Sequence, residues 1–574
     1  MKKENLTKFI SIIFAIISYL TLIFTCNLES YNILSLIIFC FLVSIFVKYF
    51  KLEKDNKDLI IIAVILSFLL TFGALCLKYI DSRDISIINM LFTGESIISL
   101  LGNFGLTYTT LNFLMPKLLK LNIIKDERKR KKPLIIFLVS VIIFMICWLP
   151  YFLSFFPATI SPDGMGLFNK SQTHLVMMDN HTFAYAIFMR ICCIIGNFLF
   201  HSTTGMIATY TFIQMLIMAI IFSLLITFLY KKNINKKVLI GVILYFAINP
   251  LFGYYSVVMW KDILFSCFVI LLTLCCYNMI EHKENLTKKD FIPFIISSLL
   301  VIFFRNNAIY MYFILAILTF VFFKKYYKQF ILIFVFIIGF YVVIKGPVFN
   351  YLDVYKSGSA EYLAIPMQQI GRMVYKGIEL TEQEEKMISK VLDVDIMKDA
   401  YNPRWSDGIK FNDNFNIEPF NKNKFNYLKL WLQLVIKHPK TALEAYSIST
   451  LGYWYPNIEA RAYENSIVEN NYGIEMQPQA PKIVQDFVSF MGIRDLPIIS
   501  LLISIGLIMW LVFFSIYILI KKKKLGYLYI YIPVLGIWLT LLVASPVYNE
   551  LRYIYALFTT LPILLLCPYI IKKK

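Results

Sequence analysis

Residues 182–201 read TFAYAIFMRICCIIGNFLFH. How this stretch is read decides how the whole chain threads. It is apolar enough to cross a bilayer, yet a crossing here would invert the charge pattern of every later loop. Around it, apolar runs of span length recur through a chain of 574 residues that is 59% hydrophobic. A helix of ~20 apolar residues spans the ~30 Å hydrocarbon core. The fold class is therefore an all-α polytopic membrane protein, which excludes a soluble domain or a β-barrel.

Cytoplasmic loops retain Lys and Arg, so the basic connectors set the orientation. They lie at 48–57, 117–132 (with KDERKRKK), 231–237, 283–289, 324–328, 521–524 and 572–574. The alternate connectors, 81–95, 157–182, 259–262, 305–307 and 545–552, are charge-poor or balanced. Were 183–200 a crossing, KKNINKK at 231–237 would fall outside. Parity returns if 183–200 lies along the outer surface as an interfacial helix. Its polar and small stripe, Thr182, Ala186, Arg190, Cys193, Asn197 and His201, suits that placement. The rival is an ordinary span whose stripe faces the bundle.

The expected spans are 8–26, 31–50, 59–79, 97–119, 133–156, 203–230, 238–258, 262–281, 291–304, 308–323, 330–346, 498–520, 526–545 and 553–570. That is about fourteen, with both termini cytoplasmic. The first is a retained span, since no small-residue cleavage site follows it. The short pair 291–304 and 308–323 leaves room for a tilted or re-entrant arrangement around Arg305. Four regions follow: 1–132, four spans and a basic loop; 133–345, a membrane module; 346–497, a mostly helical extracellular domain; and 498–574, three spans. Within 346–497, Thr381-Glu-Gln-Glu384 reads as a capping box, and 425–436 and 441–448 read as helices separated by His438-Pro439.

The net charge of +20 sits mostly on the cytoplasmic loops. It is a topology signal with attraction for anionic lipid, and nucleic acid is not an expected partner. All ten cysteines fall in apolar runs, so neither a disulfide framework nor a cysteine zinc site is legible. Gly94, Gly102 and Gly105 form no nucleotide-binding fingerprint.

Chemistry concentrates at the outer ends of spans. The loop 157–182, PATISPDGMGLFNKSQTHLVMMDNHT, gathers Asp163, His174, Asp179 and His181. Asp163 suits a general base acting on an acceptor hydroxyl; the plainer reading is an Asp in a Pro-Gly turn. Asp179, His181 and His174 are candidates to orient the acceptor, though Asp179 also suits a helix cap. A metal site from these four matches no ligand spacing. Trp260-Lys261-Asp262, Arg305-Asn306-Asn307 and Asn549-Glu550-Leu551-Arg552 mark three other outer ends. Lys261, Arg305 and Arg552 are the candidate phosphate partners, with Asp262 and Glu550 supporting them. Taken singly, each is equally a snorkelling residue or half of an internal ion pair. Near the midplane, polar residues are few: Asn103, Gln214 and Asn249.

This layout resembles the GT-C superfamily of polytopic glycosyltransferases, including its protein O-mannosyltransferase and aminoarabinose-transferase branches. There, a span leads to an outer loop with a catalytic carboxylate, then juxtamembrane helices. Here that plan matches 139–156, Asp163, 183–200 and 203–230, and Asn549-Glu-Leu-Arg-Tyr553 is similar to a Glu-Arg-Tyr element with Leu551 inserted. The prolines that often open the juxtamembrane helix are missing at Asn180-His181-Thr182. Pro162-Asp163-Gly164, Trp260-Lys261-Asp262, Arg305-Asn306 and 365–369 (IPMQQ) also resemble an uncharacterised family of low-GC Gram-positive membrane proteins.

The resemblance implies an inverting transferase in a bacterial cytoplasmic membrane with an extracellular active site. It would move a sugar from a polyprenyl-phosphate donor to an envelope glycan, teichoic acid or lipid acceptor. No cofactor is required by that scheme, and a divalent metal is left open. The alternatives are a lipid-linked glycan flippase and a noncatalytic envelope scaffold acting through 346–497.

Overall fold

The computed structural model describes residues 2–26, 33–50, 57–124, 132–172, 179, 182–354, 360, 363–456, 458, 465–492, 497–544 and 547–571. Among these residues every regular element is a helix, joined only by isolated bridges such as Thr159 with Val258 and Ile160 with Ile467. Among the described residues ten helices are long and apolar enough to cross a membrane, and eleven if Lys236–Ile248 and Pro250–Val257, bent by 47°, count as one. Ser35–Tyr49, Ala308–Phe322 and Ile505–Lys521 are shorter apolar helices. The chain is thus an all-helical, multi-pass membrane protein.

It divides into two compact units. One comprises residues 1–121, 359–458 and 542–549; the other comprises 122–358, 459–541 and 550–574. The segment 346–497, contiguous in sequence, is shared between them.

In the first unit, Lys2–Cys26, Leu59–Lys78 and Gly94–Lys120 approach closely through small and polar residues. A Cβ at Gly102 would lie 2.0 Å from the Thr21 hydroxyl. Asn103 donates to Thr71 (3.0 Å), and Ser67 to the Leu100 carbonyl (2.5 Å). Apolar tails offer no hydrophobic drive between spans, so such close contacts and buried bonds hold them together. Residues 363–456 add a set of short helices. The capping box forms as expected, with Thr381 and Glu384 satisfying each other's backbone. Lys424–Lys437 and Pro439–Ser449 are helices meeting at His438. Their core is rich in Met and Leu, including Met367, Met373, Met397, Leu430 and Leu434. A buried ion triad crosses it: Glu444 pairs with Arg372 (3.3 Å) and Lys376 (2.8 Å) and accepts from Ser86 (2.9 Å).

In the second unit, Lys261–Glu281 and Tyr555–Ile570 are apolar on all sides and buried on nearly all, which marks them as the centre of the bundle. Thr559 donates to the Ser266 carbonyl between them (3.2 Å). The helix Phe183–Phe200 forms where expected. By length and composition it is among the ten that could cross. Its packing is distinctive. Gly196 lies against Met206, while Tyr185 and Phe188 both meet Tyr210. These contacts gather on the first turns of Thr203–Lys231. The buried stripe is Tyr185, Met189, Cys192, Cys193 and Gly196. Of the expected polar and small stripe, Cys193 and the capping Thr182 are buried.

Candidate functional site

The site lies wholly in the second unit and is built around a strand-like segment. After Pro133–Ser154, residues 159–160 run extended between two neighbours. On one side Thr159 N donates to Val257 O and Met259 N to Thr159 O, both at 3.1 Å; on the other Ile160 N donates to Ser466 O and Val468 N to Ile160 O, both at 2.9 Å. This clamp fixes Ser161 and the helix that begins at Pro162.

Pro162-Asp163-Gly164 is the first turn of the helix Pro162–Gln172, not an isolated turn. Proline suits that first position, and a carboxylate there is favoured by the helix dipole. Glycine is required for a different reason. A Cβ on Gly164 would stand 2.8 Å from the Met259 carbonyl oxygen. The close approach sets this first turn against the segment that leads into Trp260, whose indole N–H donates to Ser161 Oγ (2.8 Å).

The backbone ahead of Trp260 is held from inside the membrane. Gln214, fully buried, donates to the carbonyls of Tyr255 (3.3 Å), Ser256 (3.2 Å) and Val258 (2.8 Å). Its own carbonyl accepts from Tyr210 (2.6 Å), whose hydroxyl pairs with that of Tyr185 (2.5 Å). A lone glutamine in an apolar run gives no hint of this role; the only signal was the Asn249-Pro250 break that frees those carbonyls. Asn249 caps the second half of the bent pair by accepting from Leu251 N (3.1 Å).

Three helix ends close on Asp163. Arg552 lies in the short 3-10 turn Leu551–Ile554. Its guanidinium donates to Asp163 Oδ2 (2.8 Å) and the Tyr553 hydroxyl (3.3 Å), and its Nε forms an ion pair with Glu550 Oε1 at 3.4 Å. It also lies over the Trp260 ring at 5.1 Å. Arg305 sits in extended backbone between Lys288–Phe304 and Ala308–Phe322. It bonds the Tyr553 carbonyl (2.6 Å), pairs with Asp262 (3.1 Å) and lies near the Phe265 and Tyr553 rings. Lys261 opens Lys261–Glu281 and interacts electrostatically with Asp262, Arg305, Asp163 and Arg552.

Six of the expected residues, Asp163, Lys261, Asp262, Arg305, Glu550 and Arg552, therefore form one cluster. Their burial is unequal. Asp262, Arg305 and Glu550 are buried, whereas the Asp163 side chain is 57% exposed and that of Arg552 18%. Arg305 is occupied with internal acceptors and acts as a brace. Asp163 and the edge of Arg552 are the accessible chemistry. Tyr553, whose ring faces both arginines, and Trp260, whose ring faces Arg552, were not among the expected site residues.

Asp179 belongs to an adjoining group. It pairs with Lys345, which also donates to Asn306 (2.8 Å), and Asn306 donates to the Asp179 carbonyl (2.5 Å). Thr182 donates to the Phe304 carbonyl (3.1 Å), so the start of Phe183–Phe200 is tied to the same bend as Arg305. His174 and His181 lie outside the described residues. Among the described residues no group of three or more His, Cys, Asp or Glu is placed to hold a metal ion.

Residues 138–573 match the model of DUF6020, a family of unknown function, and the chain belongs to that family. The match takes in the whole cluster and leaves out the first four long helices. No curated protein and no solved structure matches the chain.

Proposed function

We propose that this DUF6020 member is a membrane glycosyltransferase that moves a sugar from a polyprenyl-phosphate donor to an envelope acceptor on the outer face. The observation that carries the reading is the exposed Asp163 carboxylate held by Arg552 over Trp260, with Lys261 in electrostatic reach. A carboxylate and a cation converge where the ends of apolar helices meet. In this reading the bent pair and the shorter helices, Lys288–Phe304 included, cross the bilayer, Phe183–Phe200 lies in the outer interface, and fourteen crossings result. The basic loops then face the cytoplasm.

Asp163 takes the proton of the acceptor hydroxyl as that oxygen attacks the anomeric carbon. The bond from that carbon to the donor phosphate breaks with inversion, and polyprenyl phosphate leaves with the electron pair. Arg552 and Lys261 stabilise the charge developing on it. An Asp paired with Arg is a weak base, because the opposite charge favours its ionised form. A donor phosphate competing for Arg552 would loosen that pair and raise the basicity of Asp163 only when donor is bound. Asp179 and its partners Lys345 and Asn306 shape the neighbouring wall, and Arg305 and Asp262 brace the arginine platform.

The bent pair favours one rival, since broken spans often carry ion sites in transporters. Here, however, the carbonyls of residues 255–258 already accept bonds from Gln214, Thr159 and Trp260, which supports a built scaffold over an open ion path.

The test is mass spectrometry of envelope polymers and polyprenyl-linked sugars in a deletion strain. Complementation with Asp163→Asn should leave one sugar modification missing and its lipid-linked donor accumulated, while wild type restores both. Full restoration by Asp163→Asn would overturn the reading.

A further inference from the structure

Within the first unit, the short helices line a cavity of about 70 Å³, open to one side, whose lining is almost entirely apolar. Leu363, Met367, Met397, Phe415, Phe420 and Trp431 contribute to its wall. A single water needs ~10–15 Å³ by the same measure, so the space admits a stretch of hydrocarbon chain entering from the open side. Two of these residues are methionines, whose flexible thioethers suit a wall that adapts to a chain of variable shape.

The helix Lys424–Lys437 forms one side of the cavity, and it has a second apolar face. Tyr427, Leu430 and Trp431 look inward. Phe425, Leu428, Leu432 and Ile436 lie on the opposite side at helical spacing, and all four are exposed, Phe425 and Ile436 by 77% each. Leu428 belongs to both faces, so the mouth of the cavity borders the exposed stripe. Exposed lysines, Lys422, Lys424 and Lys429, flank that stripe, and the helix carries no acidic residue. An amphipathic helix with an apolar stripe edged by lysines lies in the interface of an anionic bilayer.

The bilayer is close by. The next helix, Pro439–Ser449, docks with Ile448 and Leu451 against Phe72, Cys76 and Ile80 around the end of the span-length helix Leu59–Lys78. Tyr455 fills the space over Gly73 of that same helix.

We infer that this region is a lipid site: Lys424–Lys437 seats in the membrane surface, and the cavity behind it takes the hydrocarbon chain of an anionic membrane lipid. The site is independent of the cluster at Asp163 and of the transferase reading.

The full-length protein in nanodiscs of phosphatidylcholine with a minority of phosphatidylglycerol tests this. A trace of either lipid carrying a photoactivatable diazirine on its acyl chain is cross-linked, and adducts are mapped by peptide mass spectrometry. The spans serve as the internal positive control. Adducts are expected on 424–437 and on the cavity wall at 363–370, several-fold stronger with the phosphatidylglycerol probe. Met367→Trp, which fills the cavity, should abolish the 363–370 adducts and keep those on Phe425, Leu432 and Ile436. Leu432→Glu with Ile436→Glu, on the exposed face where folding is not at stake, should abolish both. Adducts confined to the spans overturn the inference. Labelling of the stripe without the cavity wall overturns the chain site, and equal labelling by the two probes overturns the preference for anionic lipid.

Discussion

Glu444 is the residue whose replacement makes the sharpest physical prediction. Its side chain is 1% exposed and its partner Arg372 is fully buried. Lys376, at 2.8 Å, is nearly so. Ser86 and the Ile88 amide also donate to the carboxylate. In Glu444→Gln the shape is kept while the counter-charge to two buried cations is lost. Removing one partner of a buried pair costs about 3–5 kcal/mol, chiefly because the remaining charge is left uncompensated. At ~1.4 kcal/mol per tenfold, local opening becomes roughly a hundred- to a few-thousand-fold more frequent. Hydrogen exchange of the full-length protein in nanodiscs reads this directly: amides of Ala364–Tyr375 and Pro439–Ser449 should lose protection by that factor, while span amides do not change. Protection altered by less than tenfold would refute the reasoning. The triple variant Glu444→Leu, Arg372→Met and Lys376→Met, which removes all three charges, should recover much of the loss. The same triad predicts acid sensitivity. Burial alone would raise the Glu444 carboxyl, but Lys376, Ser86 and Arg372 outweigh it and hold the group below the usual glutamate value. The folded form therefore gains stability at neutral pH, and that gain is lost as pH falls below ~4.3, the unfolded glutamate value. Protection of these helices should decline from there downward.

Other outcomes follow from the cluster. Asp163→Asn should lower sugar transfer by ~10²–10⁴-fold with the protein still in the membrane, as expected for loss of a general base; lipid-linked donor measured in the same cells distinguishes this from failed expression. Arg552→Lys keeps the charge but cannot reach Asp163, Glu550 and Tyr553 together, so transfer should fall at least tenfold with intact thermal stability. Gln214→Leu leaves the carbonyls of 255, 256 and 258 without their amide donor. It should destabilise by about 1–3 kcal/mol, read as faster exchange at 254–260 and a lower melting temperature in detergent. In Gly164→Ala the new methyl meets the Met259 backbone, so activity should drop sharply, and unchanged transfer would show that Asp163 need not be held by this close approach.

The helices were legible because hydrocarbon thickness imposes a length on apolar runs, and each of the fourteen expected runs contains helix. The Thr381–Glu384 cap was legible for the same local reason, since its partners are three residues apart. The association of 359–458 with the first four long helices was not. It rests on Glu444 meeting Arg372, 72 residues away, and Ser86, 358 residues away, and such a meeting leaves no periodic trace. At the site, the charged ends of spans stood out against an apolar background. Their division of labour did not, because Arg305 and Arg552 look alike in sequence. Only packing shows the first sealed against Phe265 and Tyr553 and the second facing an exposed carboxylate. Asp163 in a Pro-Gly context was ambiguous for a similar reason: the close approach that demands Gly164 comes from Met259, far along the chain.

The bond between Asp163 and Arg552 joins residues 389 positions apart. During synthesis, Asp163 reaches the membrane long before its partner has been made. Through most of biogenesis the carboxylate has no guanidinium beside it, and Trp260 no cation above it. On the proposed reading, activity would switch on only when the late helix Tyr555–Ile570 packs beside Lys261–Glu281. Insertion of that helix would then be a maturation step, and a chain stalled before it would hold the carboxylate without its cation.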